Sequence, residues 1–259
     1  MLTSRELTTL TTKQVDLFEQ NGFLIVERVL GEEQLLHLRK SLADLLNRDP
    51  ARRTSDFVVD KESTTALRNI NHFTRYWIAG AELVRQPTIL GAVRDLIGHD
   101  VRFHHTKVFL KPPFEGTAKE WHQDLWSYVD DDERERLLAR GPNLLPAEAP
   151  VVAAQVYLDD STEQNGCLRF VAGSHRWGML EVNRDPERVQ EDRYPVDQVV
   201  KAPALAGSVA LFHALTLHYS GPNRSAVSRH GPIIQYFAQS PAIRLRAYPP
   251  DTPFGEKLV

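Results

Sequence analysis

The sequence predicts a mainly β protein with flanking helices, a double-stranded β-helix of the jelly-roll, cupin-like kind. Three observations predict it. Apolar residues recur at helical spacing mostly before Gly98. After Gly98 the chain breaks into short apolar runs punctuated by Gly and Pro. No internal repeat and no low-complexity tract competes with that reading.

Each element follows from local chemistry. Thr11-Thr12-Lys13-Gln14 reads as a capping box that opens a helix through Val15, Leu17 and Phe18. Gly22 ends it, and residues 23–26 read as a strand. Leu35, Leu38, Leu42, Leu45 and Leu46 share one face of a helix over 32–46. Residues 47–61 are polar and charged and read as a loop. Residues 81–97 are amphipathic and close at Gly98, with a break or a new first turn at Pro87. Strands are expected at 101–110, 151–158, 168–172, 207–217 and 232–239. Two charged excursions, 125–150 and 176–196, interrupt them as lid or rim segments. The expected organisation is one domain over 1–259, with a helical part at 1–98 that carries the early strand and a jelly-roll core at 99–243.

Composition narrows the function classes. The 259 residues are 42% hydrophobic and 25% charged, ordinary for a soluble globular chain. The net charge of −3, with both signs mixed, predicts neither a nucleic-acid nor a membrane partner. No run approaches the ~18 apolar residues of a membrane helix, and Met1-Leu2-Thr3-Ser4-Arg5-Glu6 lacks the apolar stretch of a signal peptide. A single cysteine, Cys167, excludes an internal disulfide and fits a reducing, cytoplasmic location. Cys167 itself reads as a small packed hydrophobe. Nothing in the sequence sets an oligomeric state.

The chemistry lies in a split pattern. Trp121-His122-Gln123-Asp124 stands in mid-chain, His218-Tyr219-Ser220 follows, and Arg229 lies eleven residues beyond His218. Two imidazoles and one carboxylate form the ligand set of mononuclear non-haem Fe(II) oxygenases, with positions left open for a chelating cosubstrate and O2. On a strand, residues i and i+2 share a face, so His122 and Asp124 are expected to grip one ion from a strand end, with His218 as the third ligand. Arg229 opens an apolar strand, and its planar fork suits the carboxylate of an iron-chelating 2-oxo acid. His213 is the rival to His218. His175 reads as structural, and His104 and His105 as ordinary strand residues.

These residues carry a resemblance. The chain resembles the phytanoyl-CoA dioxygenase family of Fe(II)/2-oxoglutarate-dependent oxygenases. The likeness begins at Phe18-Glu19-Gln20-Asn21-Gly22-Phe23-Leu24-Ile25-Val26. It continues through Trp121-His122-Gln123-Asp124, Glu163-Gln164-Asn165-Gly166-Cys167-Leu168 and Ala172-Gly173-Ser174-His175, where Ala172 replaces the family's Pro. It closes with His218-Tyr219-Ser220-Gly221-Pro222-Asn223 and Arg229. The resemblance implies Fe(II) on His122, Asp124 and His218, with O2 and 2-oxoglutarate as cosubstrates. It implies that Arg229 pairs with the far carboxylate of 2-oxoglutarate and that Ser220 donates a second hydrogen bond. It also implies that Lys107 and Gln155 face the cosubstrate.

Three residues are expected on the substrate. Trp126, two residues past Asp124, should share its face by strand parity, Phe109 shares a face with Lys107, and Arg68 can face an acidic substrate or the cosubstrate. The expected reaction is hydroxylation of an unactivated C–H bond of a small molecule (natural product, amino acid or acyl compound), with release of succinate and CO2. The alternatives are desaturation, cyclisation or epimerisation by the same oxidant, or a non-catalytic jelly roll that binds 2-oxoglutarate. Asp124 argues against halogenation, which needs a small residue in its place. The Arg52-Arg53 pair and Arg244 to Arg246 are candidate contacts for a CoA phosphate, and a substrate without CoA is the preferred reading.

Overall fold

The computed structural model describes residues 7–47, 54–61, 63, 66–181, 199–247 and 257–258. Two antiparallel sheets face each other. The strands are β1 (Phe23–Val26), β2 (Phe57–Val59), β3 (Leu67–Asn71), β4 (Arg102–Lys111), β5 (Lys119–His122), β6 (Val151–Val156), β7 (Leu168–Val171), β8 (Val199–Ala202), β9 (Val209–His213), β10 (His218–Ser220) and β11 (Arg229–Phe237). The major sheet has the order β1-β9-β6-β11-β4-β3-β2, and the minor sheet β5-β10-β7-β8. This is the jelly-roll architecture that the strand-rich second part predicts.

Helices cover the outer face of the major sheet. The helix α1 (Thr12–Asn21) starts with the expected capping box: Thr11 Oγ1 accepts from the Gln14 backbone, while Gln14 Oε1 accepts from the Thr11 backbone. The helix α2 (Glu32–Leu46) buries Leu35, Leu38, Leu42 and Leu45, and each such burial contributes about 1.5–3 kcal/mol. The segment over 81–97 breaks at Pro87 as expected, and what precedes the break is α3 (Ile78–Ala81) and a 3-10 turn over Glu82–Arg85, with α4 (Pro87–Ile97) after it. Pro87 is the first residue of α4, where its missing N–H costs nothing. Together with Val108, Val152, Ala154 and Ile234 from the sheet, these helices form the largest core. A second core between the sheets holds Ala153, Tyr157, Leu168, Phe170, Phe212 and Ile233.

The helical first part carries more sheet than its sequence predicts. β2 lies inside the expected loop at 47–61, and β3 follows it. Both are short, and β2 has no buried side chain to announce it. They exist because β4 offers an edge, pairing Asn69 with Phe109 and Asn71 with Lys107. The run at 207–217 ends as a strand at His213, and His218 belongs to a separate strand in the other sheet. The excursion at 125–150 folds into α5 (Leu125–Tyr128), α6 (Asp131–Arg140) and two 3-10 turns. Most of the excursion at 176–196, and the Arg52-Arg53 pair, lie outside the described residues.

Glu133 fastens α6 to the rim. It is 2% exposed and takes Arg136 Nε at 2.9 Å, the Arg244 backbone at 2.9 Å and Arg244 Nε at 3.2 Å. Arg244 therefore serves this junction rather than a phosphate contact. The Arg136 hydrogen bond, followed by those of Arg244, outweighs burial and lowers the Glu133 pKa from 4.5 to about 2. A depressed carboxylate pKa stabilises the fold above the unfolded value and loses that contribution as pH falls through the folded one. Acid titration of thermal stability should therefore show a loss between pH 4.5 and about 2 that Glu133→Gln removes. The variant should also unfold at a lower temperature than the parent at neutral pH.

Candidate active site

The two sheets bring the split pattern together at one point. In the minor sheet β10 lies between β5 and β7, and His218 pairs directly with His122. Their rings stand 4.1 Å apart between centroids. Asp124 joins them from a turn rather than from the strand. β5 ends at His122, and Asp124 adopts right-handed helical backbone at the start of α5. Gln123 pins that turn: its amide donates to Gly178 O and Leu215 O, and its oxygen accepts from the Leu180 backbone. Asp124 Oδ1 lies 3.4 Å from His122 Nε2 and 3.8 Å from His218 Nε2. One ligand atom from each residue falls within 4.8 Å of the others, so the three can close on one ion.

The protonation states suit a dication. His122 Nδ1 donates to Glu120 O at 2.7 Å and His218 Nδ1 donates to Thr216 O at 2.9 Å, which turns both Nε2 atoms toward Asp124. Burial, then the neighbouring His218, pushes the His122 pKa down to about 3. Burial lowers that of His218 as well. Burial opposes the charge of Asp124, but His218 and His122 outweigh it and hold the carboxyl below its ordinary range. At neutral pH two neutral imidazoles face one carboxylate, the form that binds metal. Gln235 Nε2 reaches across from β11 to Asp124 Oδ2 at 3.1 Å and fixes the carboxylate.

Arg229 opens β11 at the other end of the cleft and is 2% exposed. Its Nε donates to Asn165 O at 3.2 Å, and its Nη2 donates to Gly166 O and Ser220 Oγ, both at 3.0 Å. Nη1 is buried with no hydrogen-bond partner. Burial lowers the Arg229 pKa, and no carboxylate pairs with it among the described residues. A buried charge with one open donor fits an incoming carboxylate. Ser220 Oγ places its proton on Gly166 O at 2.9 Å while accepting from Arg229, so it orients the guanidinium instead of offering a free donor.

Between these ends runs a cleft of about 520 Å³. Of the residues singled out from sequence, His122, Asp124, His218, Ser220, Arg229, Gln155, Phe109 and Arg68 line it. Gln155 reaches in over Gly231, where an added Cβ would stand 2.7 Å from Gln155 Nε2. Lys107 stands beside the lining, opposite Ile233 and on the face of β4 that carries Phe109. It is four residues from Lys111, which faces Arg229, and so sits roughly 13 Å along the strand from that anchor. That places it toward the metal end rather than at the far carboxylate.

Trp126 departs from its expectation. It lies in α5, not on a strand, and packs under Arg134, whose guanidinium is 4.8 Å from the ring centroid. It is not among the cleft residues. His213 turns away, accepting from the Leu215 backbone and meeting Pro146 O. His175 meets Glu19 O, the structural role expected of it.

Three contributors escape the sequence. Lys111 sends Nζ to Thr117 O and Gly221 O, both at 2.6 Å, and burial followed by Arg229 pushes its pKa down to about 7. Lys119 enters the cleft through an irregularity: with His122 opposite His218, Lys119 rather than Glu120 faces Ser220. Strand parity would have turned it away. Gln235 has no sequence signal beyond being a polar residue in an apolar strand.

The model of the family described as phytanoyl-CoA dioxygenase (PhyH) matches residues 18–231. An ectoine dioxygenase of Bordetella bronchiseptica is 27% identical over 244 residues, covering 88% of this chain and 75% of its own. A Stutzerimonas stutzeri protein described as a probable alpha-ketoglutarate-dependent hypophosphite dioxygenase is 30% identical over 191 residues, covering 68% of this chain and 59% of its own. The crystal structure of EctD from S. alaskensis with 2-oxoglutarate and 5-hydroxyectoine superposes with a TM-score of 0.75 at 24% identity, covering 98% of this chain and 82% of that one. At that identity the superposition speaks for the fold.

Replacing Gln235 with Leu should leave the fold intact and lower metal affinity roughly 10–100-fold, because Asp124 loses the amide that orients it. Competition with a chromophoric chelator measures this, and unchanged affinity would detach Gln235 from the site.

Proposed function

The chain belongs to the phytanoyl-CoA dioxygenase family and is an Fe(II)/2-oxoglutarate-dependent oxygenase, and on that footing we propose that it hydroxylates a C–H bond of a small molecule, with His122, Asp124 and His218 as the iron ligands and Arg229 as the anchor of 2-oxoglutarate. The observation that carries the reading is the alignment of a three-ligand cluster with a buried, unpaired guanidinium nitrogen in one cleft. When bound, iron and 2-oxoglutarate supply the oxidation of substrate by O2, with one oxygen atom going to the product and one to succinate and CO2 lost.

This chain's residues do the rest. His122 and His218 present Nε2 because their Nδ1 protons are held by backbone carbonyls. Asp124 is held charged and aimed by Gln235. Arg229, oriented by Ser220 and Gly166 O, offers Nη1 to the far carboxylate of the cosubstrate. Phe109, Phe212, Leu168 and Ile233 line the same cleft and keep water from it. Gln155 lies within reach of the cosubstrate from the major sheet. The retained carboxylate at Asp124 and the intact Arg229 favour catalysis over a non-catalytic binding role.

Anaerobic titration of the Fe(II)-loaded protein with 2-oxoglutarate should produce a saturable visible charge-transfer band. Arg229→Ala should weaken that binding by about 2–5 kcal/mol, since a buried carboxylate loses its charged partner. Asp124→Ala should abolish succinate formation. A wild-type band that never develops with iron bound, or an Arg229→Ala midpoint equal to the parent's, would refute the assignment.

A further inference from the structure

The cleft holds more positive charge than the proposed reaction uses. The inference rests on the oxygenase reading, in which a dication, Asp124, the two carboxylates of 2-oxoglutarate and Arg229 sum to neutrality. Arg68, Lys107 and Lys119 then remain as three cations without a contacting counter-ion, Glu120 acting on Lys119 only from beyond ion-pair distance. Arg68 and Lys119 line the cleft with His122 and Asp124. Lys107 stands opposite Ile233 on β4, two positions from the pairing of His105 with Gln235, the residue that holds Asp124. Among the described residues none of the three forms an ion pair. The guanidinium of Arg68 is tethered by a neutral carbonyl, Ala118 O, at 3.0 Å.

Their placement looks built. Lys119 is turned inward only because the β5–β10 ladder slips by one residue. Lys107 and Lys119 come from opposite sheets, and Asp124 acts electrostatically on both. Burial lowers the pKa of both; Lys107 and Arg68 add to the cost of charge at Lys119, and Arg246 adds to it at Lys107. Asp124 offsets part of this, yet a metal ion would take that carboxylate. All three side chains are half-buried, and like charges gathered away from bulk water are expected where a ligand of opposite sign binds. Lys111 is excluded from the group because its ammonium is already held by two carbonyls.

We propose that Arg68, Lys107 and Lys119 form a recognition site for a small anionic substrate, a carboxylate or a phosphorus oxyanion, held beside the metal and separate from the Arg229 anchor. The likeness to a protein described as acting on hypophosphite is compatible with such a substrate, and the argument here rests on the three cations.

The test uses the Fe(II)-loaded protein saturated with 2-oxoglutarate without oxygen. Hypophosphite, methylphosphonate and propionate are titrated calorimetrically beside two neutral probes that carry no anionic group, acetamide and glycerol. At least one oxyanion should bind tenfold or more tightly than either neutral probe, and comparison of the phosphorus anions with propionate separates the two sources of charge. Lys107→Ala and Lys119→Ala should each weaken that oxyanion roughly tenfold or more, and the Arg variants should restore part of it. The midpoint of the 2-oxoglutarate band reports separately on the anchor. Neutral probes binding as tightly as anions, no binding of any oxyanion, or substitutions that move the band midpoint and leave oxyanion affinity untouched would each overturn the proposal. A wild-type protein that gives no band would instead overturn the oxygenase reading beneath it.

Discussion

A guanidinium buried without a counter-ion is the constraint around which the cleft is arranged. Removing Arg229 from water costs free energy that neutral acceptors offset only in part, so its surroundings must be fixed. The fixing groups are Asn165 O, Gly166 O and Ser220 Oγ. Gly166 can present its carbonyl because its φ is +80° and because a Cβ there would lie 2.0 Å from Gly221 O. The loop before β7 and the strand β10 therefore approach closely, and that approach sets where Ser220 stands. One nitrogen stays open toward the cleft. The charge is costly to the folded chain and useful to a ligand that brings a carboxylate.

The ligand cluster depends on the same strand. β10 is three residues long, yet it carries both His218 and Ser220 and pairs with β5 on one side and β7 on the other. His122 is placed by that pairing, Asp124 by a turn that Gln123 ties to Gly178 and Leu215, and the carboxylate by Gln235 from the opposite sheet. Phe212 packs 4.7 Å from the His218 ring and Phe170 behind it. Contributions from both sheets mean that the distance between them governs the ligand geometry. The side chains packed between the sheets, Phe170, Phe212 and Ile233 among them, occupy that space. Close packing transmits strain poorly tolerated at either end, so the core and the site form one mechanical unit.

Electrostatics divides the cleft. One end is a guanidinium beside Lys111, whose ammonium is held by two carbonyls, the centre is a carboxylate between two imidazoles, and Arg68 and Lys119 complete the charged lining. On the proposed reading this arrangement orders charged ligands: the dicarboxylate would span from Arg229 to the metal position, and an anionic substrate would be drawn to the remaining side.

The sequence by itself determined the class of chemistry. His122, Asp124, His218, Ser220 and Arg229 were legible because ligand and anchor residues must be those types, at spacings that a strand and its neighbour allow. It also determined the strand-rich fold and the amphipathic helices α1, α2 and α4, since periodicity and capping are local properties. Only the tertiary structure decided which residues complete the cleft. Trp126 was misplaced because parity assumed a strand where the chain turns into α5. Lys119 was overlooked because an irregular ladder reverses its side. Lys111, Gln123 and Gln235 act through partners far away in the chain, and β2 and β3 exist only against the edge of β4. Local periodicity cannot encode a bulge, a turn or a pairing between distant strands, because those are settled by which surfaces meet when the two sheets close.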